Sequence, residues 1–355
     1  MAGSMAGATT ADLRTCSCVA DNSAGGLWYG GTTGGCRSGF TLGWLPSQEP
    51  CGLPPTRGPG FLPSRGREYR MPQEINSVAV IGGGFMGAGI AEVSAVAGMP
   101  VVVRDLPQFL DAARGRVEKS LAGHVRKGRM DEAARDEALG RICFTSELKD
   151  VAGADLVIEA VPEVLDLKLS LMKELDEIVS ADIVIGTNTS SIPIAQLAST
   201  VRNPGRVVGI HFFSPVSVMK LVEIVVALDT DAETVQIARR YAERLGKHPI
   251  QTKDRSGFVV NFLLMSLLTS AIRMYEEGFA SREDIDDGLR LGAGHPVGPL
   301  RLADMVGLDV VHAVCMSLYD EFKRDEFAPP PLLKRMIAAG RLGQKSGRGF
   351  YEYAG

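Results

Sequence analysis

Val78-Ala79-Val80-Ile81-Gly82-Gly83-Gly84-Phe85-Met86-Gly87, followed by an Ala-, Gly- and Val-rich stretch to Ala97, decides the fold. Four apolar residues read as a strand, the glycines as a tight turn, and the stretch beyond as a helix. In the spacing Gly82-x-Gly84-x-x-Gly87, Gly82 permits the turn and Gly84 lets the backbone approach a pyrophosphate with no side chain in the way. Gly87 lets the helix pack closely on the strand, and the free amides at the helix N-terminus then face the negative charge. Spacing alone also fits a glycine-rich turn without a ligand, so the context decides. Val101-Val102-Val103 leads to Asp105, 23 positions after Gly82. A carboxylate there accepts hydrogen bonds from an adenosine ribose and repels a 2′-phosphate. NAD is therefore expected over NADP, with Arg104 moderating the preference; a helix N-cap is the plain alternative for Asp105.

Outward from this turn, apolar strands alternate with helical patterns: Leu156 to Val161, Ile183 to Gly186, Val207 to His211 and Leu221 to Val226. Leu171, Leu175 and Ile178 recur at the period of a helix lying on a sheet. Parallel strands with helices on both faces are expected, a Rossmann-type doubly wound α/β sheet with ligands at the carboxyl ends of the strands. After Asp254-Arg255-Ser256-Gly257 the strand signals stop. Helical patterns take over at Phe258 to Phe279, Arg282 to Leu291, Leu308 to Phe322 and Pro331 to Ala339, an all-α domain. The division is thus 71–256 for the sheet and 257–355 for the helices.

Residues 1–70 are a different kind of chain, with 14 glycines, six prolines, no lysine and both tryptophans. Such a segment has no apolar period with which to offset its ordering entropy, and disorder is expected. It reads as the product of a start codon placed too early, with Met71 the natural start, as a transit peptide, or as a leader added by cloning. Cys16-x-Cys18 lacks the spacing and the second pair of a zinc site, so no metal is expected. Only Cys143 and Cys315 follow, which suits a reducing compartment: cytoplasmic, or the mitochondrial matrix if the leader is a transit peptide. The net charge of -4 offers no broad cationic field for nucleic acid or an anionic membrane. The longest apolar run, Phe258 to Ile272, falls short of the roughly 20 residues of a membrane span. Small solutes are the expected partners.

Three polar signals stand just beyond strand ends: Glu159 to Glu163, Asn188-Thr189-Ser190-Ser191, and His211-Phe212-Phe213-Ser214-Pro215. Glu223 follows His211 by twelve residues on the adjoining strand segment. A carboxylate behind an imidazole fixes its tautomer and stabilises the imidazolium, as a base removing a hydroxyl proton requires while hydride leaves the same carbon. The plain alternatives are a structural histidine, a surface glutamate on a strand, and, for Ser190, a helix cap before Ile192-Pro193.

These motifs resemble the L-3-hydroxyacyl-CoA dehydrogenases, including the short bacterial 3-hydroxybutyryl-CoA dehydrogenases, over about Asn76 to Tyr353. The resemblance rests on the glycine turn, Ile158-Glu159-Ala160 with Glu163 and Lys168, Asn188-Thr189-Ser190-Ser191, His211-Phe212-Phe213 and Met219-Lys220-Leu221-Val222-Glu223. It continues through Gly257-Phe258-Val259-Val260-Asn261, His295-Pro296-Val297-Gly298-Pro299-Leu300 and Lys345-Ser346-Gly347-Arg348-Gly349-Phe350-Tyr351. It implies His211 as catalytic base, Glu223 as its orienting partner, and Ser190 and Asn261 on the substrate oxygens. It further implies NAD contacts from Gly82, Gly84, Phe85, Met86, Gly87, Asp105, Ser190 and Ser214. Glu163, Lys168 and Lys345 are placed at the nicotinamide half, and Ser120 and Lys127 at coenzyme A. An acyl-CoA substrate and a homodimer through the helical domain are likewise implied. Ser214 departs from the asparagine common in single-domain members, and Gly294 and Val297 from asparagine and methionine. Two rivals stand beside this reading: a dehydrogenase of free hydroxy or sugar acids, and a dinucleotide-binding protein without catalysis.

Overall fold

The computed structural model describes residues 74–353, so the expectations for residues 1–70 lie outside the described residues. Strand β1 (Val78–Ile81) is followed by α1 (Phe85–Val96), β2 (Val101–Arg104), α2 (Leu110–Arg126), α3 (Glu132–Gly140) and β3 (Ile142–Thr145). Then come β4 (Leu156–Glu159), α4 (Leu165–Ile178), β5 (Val184–Thr187), α5 (Ile194–Ala198), β6 (Val207–Phe212), β7 (Leu221–Val226), α6 (Ala232–Arg244) and β8 (His248–Lys253). The strands form one sheet in the order β3-β2-β1-β4-β5-β6-β7-β8. β1 lies between β2 and β4, parallel to both, and the strand order reverses there. A reversal of this kind opens a crevice at the carboxyl ends of the strands.

All four residues of β1 are buried, as suits a central strand covered on both faces. Alternation sends Val78 and Val80 into one apolar cluster with Ile90, Leu121 and Ala238, and Ala79 and Ile81 into another with Leu171, Leu175 and Leu197. On the first face Ser94 of α1 and Tyr241 of α6 share a buried 2.7 Å hydrogen bond, and burial pushes the Tyr241 phenol up.

Not every strand is parallel, which corrects the expectation: β7 runs antiparallel to β6. Only residues 213–220 join the two, too short a link for the crossover of a dozen or more residues that a parallel partner needs.

The remainder is helical: α7 (Val260–Glu276), α8 (Arg282–Asp287) continuing into a π turn at Gly288–Gly292, α9 (Pro299–Val306), α10 (Leu308–Phe322) and α11 (Pro331–Ala338). Its core holds Leu268, Ile272, Leu300, Leu308, Leu318 and Phe327. Among the described residues no single helix is long and apolar enough to cross a membrane. The pair α9 and α10 passes such a test only together, across a 97° bend.

Buried Asp304 of α9 fastens the C-terminal segment, accepting from the amides of Phe350 and Tyr351 at 2.9 Å each and from the Tyr353 hydroxyl at 3.0 Å. Asp304→Ala is expected to cost at least about 2 kcal/mol, since each buried group left unsatisfied costs about 1–3 kcal/mol. A lowered urea midpoint at an unchanged slope is the check; an unmoved midpoint would contradict it.

Candidate active site

The glycine turn fulfils its sequence pattern in steric terms. Gly82 has φ +96°, and a Cβ there would meet the Ala160 carbonyl oxygen at 2.7 Å, so only glycine fits. A Cβ on Gly87 would lie 1.7 Å from the Gly82 carbonyl oxygen. A Cβ on Gly84 would meet nothing within 4 Å: this residue faces open space, the cradle a diphosphate needs. Gly84 caps α1 with backbone alone, leaving the first-turn amides of Phe85 and Met86 to a ligand. Gly83 was not singled out in the sequence, yet its Cβ would fall 2.4 Å from Ala113 of α2. Asp105 follows β2 and accepts from Gly83 N and Leu106 N, one on each oxygen, both at 2.7 Å. Each oxygen keeps a lone pair for a ribose hydroxyl. These residues fit an NAD adenosine and diphosphate. Arg104 turns its Nε to the Ser146 carbonyl at 3.3 Å.

Antiparallel pairing sets His211 of β6 directly opposite Glu223 of β7. Nδ1 of His211 lies 2.8 Å from Oε2 of Glu223, and both residues are buried. Nε2 has no hydrogen-bond partner among the described residues. The imidazole sits edge-on to Phe213 and Phe258, with centroids at 4.7 and 5.3 Å. Glu223 has a second role that the sequence did not show: its Oε1 accepts from the amides of Val259 and Val260 at 3.0 Å each, at the start of α7. The chain reaches that point through Gly257 at φ +74° and Phe258 at φ +45°, the latter in a region unfavourable to a bulky residue.

Asn261 comes directly after Val260 and is therefore held within one residue of the Glu223 carboxylate. Neither its side-chain amide nor the Ser190 hydroxyl has a partner among the described residues. Ser190 does not cap a helix: α5 takes no side-chain cap, and Asp254 accepts from its Ala195 amide at 2.8 Å instead. Asn188 accepts from Phe212 N at 2.9 Å, tying the loop after β5 to the end of β6 beside His211.

A network that the sequence did not reveal holds the Ser190 loop. Glu159, the last residue of β4 and fully buried, accepts from Lys168 Nζ at 2.7 and 2.8 Å, from Thr187 Oγ1 at 2.6 Å and from Val161 N at 2.7 Å. The Lys168 ammonium also lies 3.2 Å from Glu163. Oε1 of Glu163 gathers the Thr189 hydroxyl at 2.5 Å, the amides of Ser190 and Ser191 at 2.9 and 3.0 Å, and the Ser191 hydroxyl at 2.9 Å. Partial burial pushes the Glu163 carboxyl up, but Lys168 and these donors outweigh it and hold it below its ordinary value. The signal for this network was a carboxylate ending an otherwise apolar strand, with a lysine nine residues on.

Phe85 and Ser214 are exposed, and Met86 is half-buried. Lys345 pairs with Asp309 at the start of α10, at 2.5 Å. Ser120 of α2 hydrogen-bonds Glu92, whereas Lys127 ends the helix exposed.

Residues 77–255 match the family model of the 3-hydroxyacyl-CoA dehydrogenase NAD-binding domain, and residues 257–353 that of the 3-hydroxyacyl-CoA dehydrogenase C-terminal domain. A 3-hydroxybutyryl-CoA dehydrogenase of Mycobacterium tuberculosis is 49% identical over 286 residues, 80% of this chain and all of the relative. The mitochondrial hydroxyacyl-coenzyme A dehydrogenase of Sus scrofa is 39% identical over 287 residues, 79% of this chain and 91% of the relative. Among solved structures, FadB2 of M. tuberculosis superposes with TM-score 0.78 at 48% identity, over 79% of this chain and all of that one. The (S)-3-hydroxybutyryl-CoA dehydrogenase PaaH1 of Ralstonia eutropha gives 0.77 at 42%, with the same coverage.

Proposed function

The chain belongs to the 3-hydroxyacyl-CoA dehydrogenase family, and from that premise we propose that it interconverts short-chain (S)-3-hydroxyacyl-CoA and 3-oxoacyl-CoA. The carrying observation is the buried His211–Glu223 pair, with Nε2 free of any partner among the described residues, in a chain whose strand β1 ends in a dinucleotide turn. NAD, when bound, accepts or returns the hydride at C3. The residues around it do the rest. His211 takes the C3 hydroxyl proton at Nε2 in oxidation and gives it back in reduction. Glu223 fixes the tautomer in which Nδ1 carries hydrogen and balances the imidazolium. The Ser190 hydroxyl and the Asn261 amide hold the C3 oxygen and the thioester carbonyl, and this fixed orientation lowers the barrier before any bond changes. Glu163 and Lys168 hold the Ser190 loop, and Lys345, paired with Asp309 at the start of α10, is assigned to the nicotinamide half of the cofactor.

A short-chain substrate is favoured because relatives 49% and 46% identical carry the names 3-hydroxybutyryl-CoA dehydrogenase and Probable 3-hydroxybutyryl-CoA dehydrogenase. Fatty acid or butanoate metabolism is the corresponding role, and the cytoplasm the corresponding place. A homodimer through the helical domain accounts for its exposed apolar side chains, Leu263 at 64%, Phe279 at 76% and Leu291 at 70%.

The test is NADH oxidation at 340 nm with acetoacetyl-CoA beside free acetoacetate. Turnover on the thioester alone is expected; turnover on the free acid would move the assignment to a hydroxy-acid dehydrogenase, and none on either to a protein that only binds NAD. In the same assay NADPH is expected to give a kcat/KM about 100-fold below NADH, because like charges brought together at Asp105 cost several kcal/mol. Equal use of both cofactors would remove Asp105 from the adenosine site.

A further inference from the structure

The segment between β8 and α7 carries an arginine that the cofactor turn and the catalytic pair leave unexplained. The Arg255 guanidinium makes no hydrogen bond or ion pair among the described residues. It lies over the faces of two phenylalanines instead, 4.4 Å from the ring centroid of Phe262 on α7 and 4.5 Å from that of Phe322 at the end of α10. These rings stand at 87° with centroids 5.4 Å apart, so the cation fills the corner between them. A planar, weakly hydrated guanidinium suits such a place at the surface. Phe262 is steadied in turn by the buried Phe327, whose ring centroid is 4.9 Å away.

Both ends of this clamp lead to the reacting groups. The Arg255 carbonyl accepts from the Phe258 amide at 3.0 Å, closing the turn in which Gly257 and Phe258 take positive φ. Phe258 is the ring set edge-on to His211. On the other side Phe262 follows Asn261 directly, and its amide donates to the Gly257 carbonyl at 3.0 Å. Between them lie Val259 and Val260, whose amides hold Glu223. Ser256 is docked on α10, with its amide on Glu321 at 3.1 Å and its hydroxyl 3.0 Å from that of Ser317. A bulky residue at positive φ persists only where its surroundings over-determine it, and here the surroundings are α10 and the arginine clamp.

We propose that Arg255 is a positioning residue for proton transfer. The cation held by Phe262 and Phe322 keeps the turn at residues 255–258 in the one conformation that sets Phe258 against His211, two amides against Glu223, and Asn261 at the substrate oxygens. The inference rests on the dehydrogenase reading above; Arg255 itself touches neither substrate nor cofactor.

The experiment compares Arg255→Ala, Phe322→Leu and Arg324→Ala with the wild type. Arg324 lies 6.0 Å from the centroid of the same Phe322 ring but outside the turn, and is the control. With acetoacetyl-CoA and NADH, Arg255→Ala is expected to lower kcat about tenfold or more, since a small misplacement of reacting groups can cost about 10²-fold. KM for NADH stays put, and Arg324→Ala behaves as the wild type. Turnover is expressed per NADH-binding site, counted by fluorescence titration, so that an unfolded fraction does not enter kcat. A second readout is independent of turnover. The chain has five histidines, and nitrogen-isotope labelling of histidine resolves the His211 ring, identified by its loss in His211→Ala. Its Nδ1 resonance is expected to move in Arg255→Ala and to stay in Arg324→Ala. An unmoved resonance, an unchanged kcat, or equal effects of the two arginines overturns the proposal. Should Arg255→Ala fail to fold, Phe322→Leu, which opens one side of the clamp, must show both the moved resonance and the lowered kcat, or the proposal falls. A wild type that turns over no thioester would sink the dehydrogenase reading alone, and the resonance would still decide whether Arg255 holds the imidazole.

Discussion

His211→Ala is expected to lower kcat by about 10²–10⁴-fold while NADH still binds, because loss of a general base typically costs that much. The two halves of this expectation rest on separate elements. Proton transfer depends on a side chain at the end of β6, held by one hydrogen bond to β7. Dinucleotide binding depends on the turn after β1 and on Asp105 after β2, which the substitution leaves untouched. Fluorescence titration with NADH and steady-state turnover of acetoacetyl-CoA measure the two halves separately. Turnover at the wild-type rate would remove His211 from the chemistry, and loss of NADH binding in parallel would show that the damage is not confined to the proton step.

The second large effect concerns stability. Lys168 is 1% exposed and Glu159 fully buried, and the pair lies between the end of β4 and the first turns of α4. Lys168→Met leaves the Glu159 carboxylate in the interior with Thr187 Oγ1 and Val161 N as its remaining donors. Breaking a buried pair from one side costs about 3–5 kcal/mol, whereas removing both charges is often neutral. The single variant is expected to melt roughly 10 °C lower, at about 2–4 °C per kcal/mol for a chain of this size. The double variant Glu159→Gln with Lys168→Met should recover most of that loss. A single variant within about 1 kcal/mol of the wild type would mean that water reaches this pair.

How much of this could be read from the sequence depended on how locally each feature is encoded. β1, its glycine turn and Asp105 lie within 28 residues, and each has a steric or electrostatic requirement that few residue types meet. β3 and β8 were not recognised, because edge strands need no continuous apolar run; β8 reads His248-Pro249-Ile250-Gln251-Thr252-Lys253 and is half open to solvent. The helix α9 was hidden behind the proline at its first position, and the direction of β7 could have been read from the shortness of the link before it. His211 and Glu223 were legible as a pair because their spacing spans a single strand reversal. The same carboxylate's bonds to Val259 and Val260 join residues 36 and 37 positions apart, and no local pattern encodes such a contact. Lys168 is expected from the family resemblance at the nicotinamide half; its bond to Glu159, which turns it inward from α4 to the end of β4, has no local pattern to announce it.

That contact between Glu223 and the first amides of α7 also limits how the protein can be rebuilt. The junction at residues 256–260 is a component of the base and not an exchangeable linker. A chimera joining this sheet to a foreign helical domain would keep its nucleotide turn intact and still lack a properly held imidazole, unless the graft brought two backbone amides to the same carboxylate oxygen. Lengthening the junction by a single residue would have the same result, so recombination between relatives is tolerated at the surface loops of either half and penalised at the seam.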